Sequence, residues 1–417
     1  MSHHVAIVAA LIAAVGRAQD GGPAVVLPAP GSQCVAVGFL DAHAGGAGGS
    51  LAPDVARVLA AIRCARARAA APQVAVSVHV DDQVTAVAAA CRRADADALA
   101  VFLAAFAAVP GSDDEIALAI AAAALACDDD RHLLPGGELA AAARAALCPD
   151  GPAPIGSEAL SALTPARMRD LAKSTRRALA GVAGDVPSAV RELAAADATA
   201  LPVARRSDPA VAVGDERIDG RVHRRVDQPF VAVAFAVPAD LDRATLAVAV
   251  AVARDRAARR WQLRGSELRA GTPFVDWSWL RGDGIVTFHR RGVAPVRLRP
   301  GEPAADVAAE RDATAGELRG LLADLRRPVE DRELLAARAQ AAAELGCQLR
   351  PDGPDPAMVA LCLRQALLRA ARGCDAAHVA AVSTAAATTA IARLLDGPRR
   401  WSALLPTSSA SLGWRPR

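Results

Sequence analysis

The sequence predicts an α+β protein of two duplicated domains, each a mostly antiparallel sheet packed by helices. Three observations predict it. Strand patterns come in runs, separated by runs of helix pattern, which is the grammar of α+β folds and not of doubly wound ones. The order strand, helix, strand pair, helices, strand occurs twice, which points to an internal duplication. The 417 residues are also enough for more than one domain.

The first half begins with strands at 24–27 and 33–40 ("QCVAVGFL"), joined by a turn at Pro28 to Ser32. A helix follows at 53–69, where Val55, Val58, Leu59 and Ile62 form one apolar stripe at i, i+3, i+4, i+7. "QVAVSVHV" (73–80) and "QVTAVAAACR" (83–92) read as two strands. Helical patterns run over 94–108, 113–127 and 137–147. A further helix starts at "TPARMRDLAK", with Thr164 as N-cap and Pro165 at the first helical position. The half closes on a strand over 178–186 and a short helix to about 195.

The second half repeats this order. A strand at 230–238 precedes a helix at 240–260. "FVDWSWLR" and "GIVTFHRR" read as a hairpin around Gly282-Asp283-Gly284, with Asp-Gly as the turn signal. Helices are expected over 303–326, 329–345, 355–372 and 376–395, and "RWSALLP" is the last strand. The domain boundaries are therefore 21–199 and 219–410, with a polar, Pro-bearing linker at 200–218.

Residues 1–20 stand apart. Val5 to Val15 is an apolar run too short to span a bilayer. Small residues at Gly16 and Ala18 suit a signal-peptide cleavage site, but the leading "MSHH" has no Lys or Arg. A signal peptide, implying export to the periplasm, and a plain N-terminal extension, leaving the chain in the cytoplasm, both stay open. No other segment reads as a membrane helix, so no stable membrane insertion is expected.

Composition excludes more than it assigns. Net charge is +3, and Arg residues are interspersed with Asp and Glu, so no face reads as a nucleic-acid footprint. The short basic stretches Arg221 to Arg225 and His289 to Arg291 read as solvated strands. The eight cysteines form no C-x-x-C, and most lie in Ala, Leu and Val context, as small buried hydrophobes. No two of the eight histidines stand at i, i+4. His43 lies in a Gly-rich loop and reads as solvated, as do Asp128 to Asp130 beside His132. There is no G-x-S-x-G elbow, and "GGAGG" (45–49) lacks the Lys-Ser/Thr of a phosphate-binding loop.

Several segments, in order and spacing, carry a resemblance. In 148–190, Ile155, Gly156, Leu163, Thr164, Gly184, Asp185 and Val186 fit a family pattern of "iG", an "lT" helix start and a strand ending in "vGdv". "RRPVEDRELLAARAQ" (326–340) is similar to the family's acidic start to a long helix. "VSTAAATTAIARLLDGPRRWSALLP" (382–406) is similar to its terminal helix and strand, and "FVAVAFAVPADLDRATLAVAVAVA" to the opening of its second half. Over about residues 22–406 the chain resembles the pitrilysin-type peptidases, the inverted-zinc-motif family that includes mitochondrial processing peptidase.

The resemblance implies a zinc site that this sequence lacks. The family carries H-x-x-E-H on a helix: two His at i and i+4 hold the zinc, and the Glu beside the second polarises the attacking water. "SLAPDVAR" aligns there without a gap, placing Pro53 and Arg57 at the ligand positions and Ala56 at the base position. The distal Glu ligand falls at Ala124 to Ala126. Catalytic and metal residues are therefore expected to be absent, with no cofactor. Two-chain family members pair a zinc-bearing subunit with one that lacks the motif and supplies an Arg/Tyr pair to steady the substrate. Here Arg269 takes the Arg position, and Asp276 stands near the Tyr position in a chain without Tyr. Arg269 reads either as a peptide contact or as a surface Arg at a helix end.

The resemblance thus implies a non-catalytic subunit forming one half of a peptide-binding chamber. Its partner is a zinc-bearing pitrilysin-type chain in a heterodimer, or itself in a homodimer, with unfolded peptide as the bound species. The alternative is a structural scaffold like the peptidase-derived core proteins of a respiratory complex, without peptide handling.

Overall fold

Short runs rich in Val and Ala become strands, because β-branched residues fit a pleated, half-buried surface. The computed structural model describes residues 24–27, 33–42, 53–80, 84–108, 111–133, 139, 142, 143, 146, 147, 156–195, 217–223, 226, 228–262, 274–280, 283–292, 307–345, 355–372, 374 and 376–406. Two units divide the chain: residues 1–128, 152–204 and 342–378 form one, and residues 129–151, 205–341 and 379–417 the other.

The first unit holds a sheet of β1 (Ala24–Leu27), β2 (Cys34–Ala42), β3 (Ala75–Val80), β4 (Val84–Arg92) and β5 (Arg176–Ala183). Their order is β1-β5-β2-β4-β3. β1 and β5 are parallel, and every other neighbouring pair is antiparallel. The second unit holds β6 (Ile218–His223), β7 (Phe230–Ala236), β8 (Phe274–Leu280), β9 (Asp283–Arg291) and β10 (Arg399–Pro406), in the order β6-β10-β7-β9-β8. Again the first strand of the set runs parallel to the last, and the other pairs are antiparallel. Strand for strand, the two sheets share order and sense. The duplication read from the sequence is therefore present in the topology.

The helices of the first half are α1 (Pro53–Ala70), α2 (Asp97–Ala107), α3 (Asp113–Leu133), α4 (Gly156–Ser161), α5 (Pro165–Ser174) and α6 (Ser188–Ala195). Thr164 caps α5 as expected, its hydroxyl accepting from the Arg167 N–H at 3.3 Å. Three acidic residues, Asp113, Asp114 and Glu115, open α3 where the helix dipole favours negative charge. Val35, Val37 and Phe39 point from β2 into one core with Leu99, Phe102, Phe106 and Val190.

The second half contributes α7 (Arg243–Gln262), α8 (Val307–Leu325), α9 (Asp331–Leu345), α10 (Pro356–Arg372), α11 (Ala376–Ala381) and α12 (Thr384–Asp396). α10 belongs to the first unit, although it lies in the second half of the chain. It packs on β2, β3, β4 and β5. Its seat is a pair of glycines, Gly38 and Gly181, opposite each other across β2 and β5. Leu139, Ala143 and Leu147 make the converse crossing. Leu139 packs with Val226, Ala232 and Leu404, while Ala143 and Leu147 pack with Ala234, Ala236 and Ile285.

Several expectations need correction. The helix expected over 376–395 is two, because Ser383 has extended backbone and caps a new helix, accepting from the Ala386 N–H at 3.1 Å. In the β8–β9 hairpin Leu280 pairs with Asp283, so Asp283 already belongs to a strand and not to the turn. β5 runs over 176–183, and Gly184 follows with φ +72°, the left-handed conformation that glycine tolerates. Arg290 is not solvated: it is 2% exposed and pairs with Glu317 at 3.1 Å. The expected signal peptide or extension at 1–20 and the linker at 200–218, apart from Arg217 and Ile218, lie outside the described residues. Among the described residues no helix is long and apolar enough to cross a membrane.

Candidate functional site

The stretch that aligns with the zinc motif opens α1. Helix formation there follows from the Ala, Leu and Arg content, with Pro53 at the first turn and Asp54 beside it. Val55, Val58, Leu59 and Ile62 are all buried, as the periodicity predicts. They pack against Ile116, Ile120 and Ala124 of α3, Leu160 of α4, and Met168 and Ala172 of α5.

Ala56, at the base position, is 2% exposed and sits in this same apolar cluster. So does Ala124, the first residue of the span Ala124 to Ala126 that aligns with the distal ligand. The fold therefore brings Ala56 and Ala124 into one cluster, and both carry a methyl group. Leu125, next along, is exposed. Arg57, at the second ligand position, points to solvent and pairs with Asp54 at 3.2 Å. A guanidinium presents only donors, so it offers a metal no lone pair and repels it by charge. These residues do not fit zinc. Among the described residues no group of three or more His, Cys, Asp or Glu side chains is placed to hold a metal ion. Arg57 is half exposed but Asp54 is buried, so Arg57→Ala should lower stability in urea unfolding by about 1 to 3 kcal/mol, the cost of taking a donor from a buried acceptor.

Beneath Ala56 the sequence hides a polar cluster that its pattern did not reveal. A small cleft with room for about one water molecule is lined by Asp41, Ala56, Ala60, Arg63, Thr85, Phe106 and Thr175. Asp41, 7% exposed, lies 3.9 Å from both Arg63 and Arg177, too far for direct hydrogen bonds. Burial pushes its carboxyl above the usual carboxylate range, while Arg177 and Arg63 pull it down. Arg63 donates through Nη2 to Ala172 O (2.8 Å) and through Nη1 to Thr175 Oγ1 (3.1 Å). Arg177 donates to Leu193 O and Ala194 O and covers the Phe39 ring at 4.2 Å. Each arginine thus reaches carbonyls in the last turn of a helix, α5 for Arg63 and α6 for Arg177, where positive charge is favoured. The cluster ties helices to the sheet. The one sequence signal was Arg63 itself, on the apolar face of α1 seven residues after Ala56.

Among the described residues the cysteines offer no exposed nucleophile: Cys34, Cys64, Cys91 and Cys374 are buried outside any disulfide. Burial pushes Cys64 and Cys91 up to about 11, so both stay protonated at neutral pH. Cys362, on α10, is disulfide-bonded. Arg269, His43 and the side chains of Asp128 to Asp130 and His132 lie outside the described residues.

No protein-family profile and no curated protein matches the sequence. Solved structures do. A protease from Helicobacter pylori superposes with a TM-score of 0.65 at 15% identity, covering 93% of this chain and 98% of that one. An inactive domain of an M16 peptidase from Pseudomonas fluorescens gives 0.63 at 14%, covering 94% and 97%. The chain has the M16 peptidase fold. This is the fold of the pitrilysin-type peptidases that the segment order resembles. A chain of complex III2 from Candida albicans shares the M16 fold, at TM-score 0.62 and 12% identity over 91% of this chain and 93% of that one. The M16 fold thus occurs in a protease, in an inactive peptidase domain and in a chain of complex III2, so function has to be argued from the site.

Proposed function

We propose that this chain is a non-catalytic M16-fold subunit. It forms one half of a peptide-binding chamber, and a zinc-bearing chain supplies the hydrolysis. The observation that carries this reading is the pairing of Ala56 with Ala124 inside one apolar cluster. An apolar side chain at each of these positions supports the packing of α1 on α3 and can neither bind zinc nor activate water. The similarity to an inactive M16 domain is in keeping with it.

The test is to purify the chain with an H-x-x-E-H chain from the same source. The pair should co-elute, and peptide turnover should rise at least about tenfold over the zinc-bearing chain alone, a factor worth about 1.4 kcal/mol. The chain by itself should bind no stoichiometric zinc. Neither association nor a change in turnover would sink the proposal, and stoichiometric zinc in the lone chain would overturn the reading of residues 53–57. Arg269 has a defined part in this account: it donates to a peptide carbonyl. Arg269→Ala should then raise KM of the assembly severalfold while leaving kcat nearly unchanged, the signature of lost uniform binding.

A second reading is favoured by the match to a complex III2 chain. There the chain is a structural scaffold and handles no peptide. Association with a partner but no effect on turnover would select it. A homodimer, seen as self-association without the zinc-bearing chain, would replace the partner in either reading.

A further inference from the structure

The two halves of the chain exchange covering segments. α10, from the second half, covers the sheet of the first unit. Leu139, Ala143 and Leu147, from the first half, pack against strands of the second unit. Both crossings are buried. Val359, Leu363 and Leu367 of α10 have no exposed surface, and Leu147 has none either.

The α10 crossing is a shaped fit. A Cβ at Gly38 would lie 2.9 Å from Leu367 Cδ1, and one at Gly181 would lie 3.1 Å from Leu367 Cδ2 and 3.2 Å from Leu363 Cδ1. The glycine pair therefore makes a pit that the two leucines fill. At the strand end of the contact, Arg364 donates to Val78 O at 2.8 Å. Without α10 the glycine face would carry unprotected backbone and apolar surface. Each half thus lacks part of its own core and receives it from the other.

We infer that these exchanged segments, and not the peptide joining the halves, hold the molecule together, so the chain can be cut between its halves and remain one folded body. Two independent anchorages act in opposite directions along the chain. Releasing either half requires withdrawing both segments at once. The joining peptide adds only the local concentration that any tether supplies.

The experiment uses the full chain with a protease site placed within residues 201–216. After folding, the chain is cut to completion and kept under reductant, because Cys362 of α10 is disulfide-bonded; completion is read on a reducing denaturing gel. The fragments should co-elute at the position of the uncut 42.6 kDa protein and unfold in one transition. Elution as two separate species would overturn the inference. A second form carries Leu367→Ala and Leu147→Ala. Uncut, it should still fold; cut, its fragments should dissociate at a concentration at least about tenfold higher than the unsubstituted ones. If the doubly substituted fragments hold together as tightly as the unsubstituted pair, the exchanged segments are not the bond and the inference fails.

Discussion

Glu333→Gln should destabilise the protein by about 3 to 5 kcal/mol, the usual cost of removing one partner of a buried ion pair. Glu333 is 7% exposed and takes a bidentate pair from Arg256, Nε at 3.2 Å and Nη2 at 2.7 Å. Arg259 adds a third donor at 2.7 Å and the Glu330 N–H a fourth at 3.2 Å, which is the N-terminal box of α9. Arg256 also donates to the carbonyls of Asp324, Leu325, Arg327 and Pro328, where α8 ends. One guanidinium thus closes α8 and starts α9. A glutamine amide would turn an N–H₂ toward Arg256 and leave its charge buried without a counter-ion.

The same carboxylate makes stability depend on acid. Burial works to raise its pKa, but the hydrogen bonds from Arg256 and Glu330 and the charges of Arg256 and Arg259 outweigh that and hold it at about 2. Its pKa is depressed relative to the unfolded chain, so its contribution is full above the ordinary glutamate range. That contribution, about 3 kcal/mol at 1.36 kcal/mol per unit, is lost as pH falls from about 4.5 toward 2. Urea unfolding across that window should show the native protein losing stability faster than Glu333→Gln. Parallel curves would mean that the pair is not as isolated from water as its burial implies.

Much of this fold was legible in the sequence because its elements obey local rules. The apolar stripe of α1, the Thr164 cap and the Val-rich strands each follow from side-chain periodicity or backbone chemistry within a few residues. What periodicity cannot state is which partner an apolar face meets. α10 and residues 139–147 read as ordinary helices, and nothing in their own sequence says that each crosses to the other half. Arg290 was misread for a related reason. A basic run looks solvated until its counter-ion is known, and Glu317 lies 27 residues away on α8. The edge strand β6 is read only at its basic end, from Arg221, because its first residue, Ile218, falls in the polar stretch expected to be a linker. At the candidate site the missing donors could be read off directly, whereas the Asp41, Arg63 and Arg177 cluster depends on pairings between β2, α1 and β5 that only the folded chain makes.

Gly181→Ala should destabilise the protein by about 1 to 3 kcal/mol, the cost of overpacking a filled core. The added methyl would lie 3.0 Å from Val25 O as well as against both leucines of α10. Leu367→Ala, which empties the pit from the other side, should cost about 2 to 5 kcal/mol. The informative measurement is the pair. In Gly181→Ala/Leu367→Ala the new methyl occupies part of the space the leucine left, so the total should fall short of the sum by about 1 kcal/mol, within the range for residues in contact. Gly38→Ala should couple to Leu367→Ala in the same way, because each added Cβ meets Leu367 and one backbone oxygen, Val87 O at 2.9 Å for Gly38 and Val25 O at 3.0 Å for Gly181. Strict additivity at Gly181, from urea unfolding of the four proteins, would mean that α10 is not seated by this pit. A merely loosened core would show no coupling specific to Leu367, whereas a helix docked through that side chain must couple to both glycines beneath it.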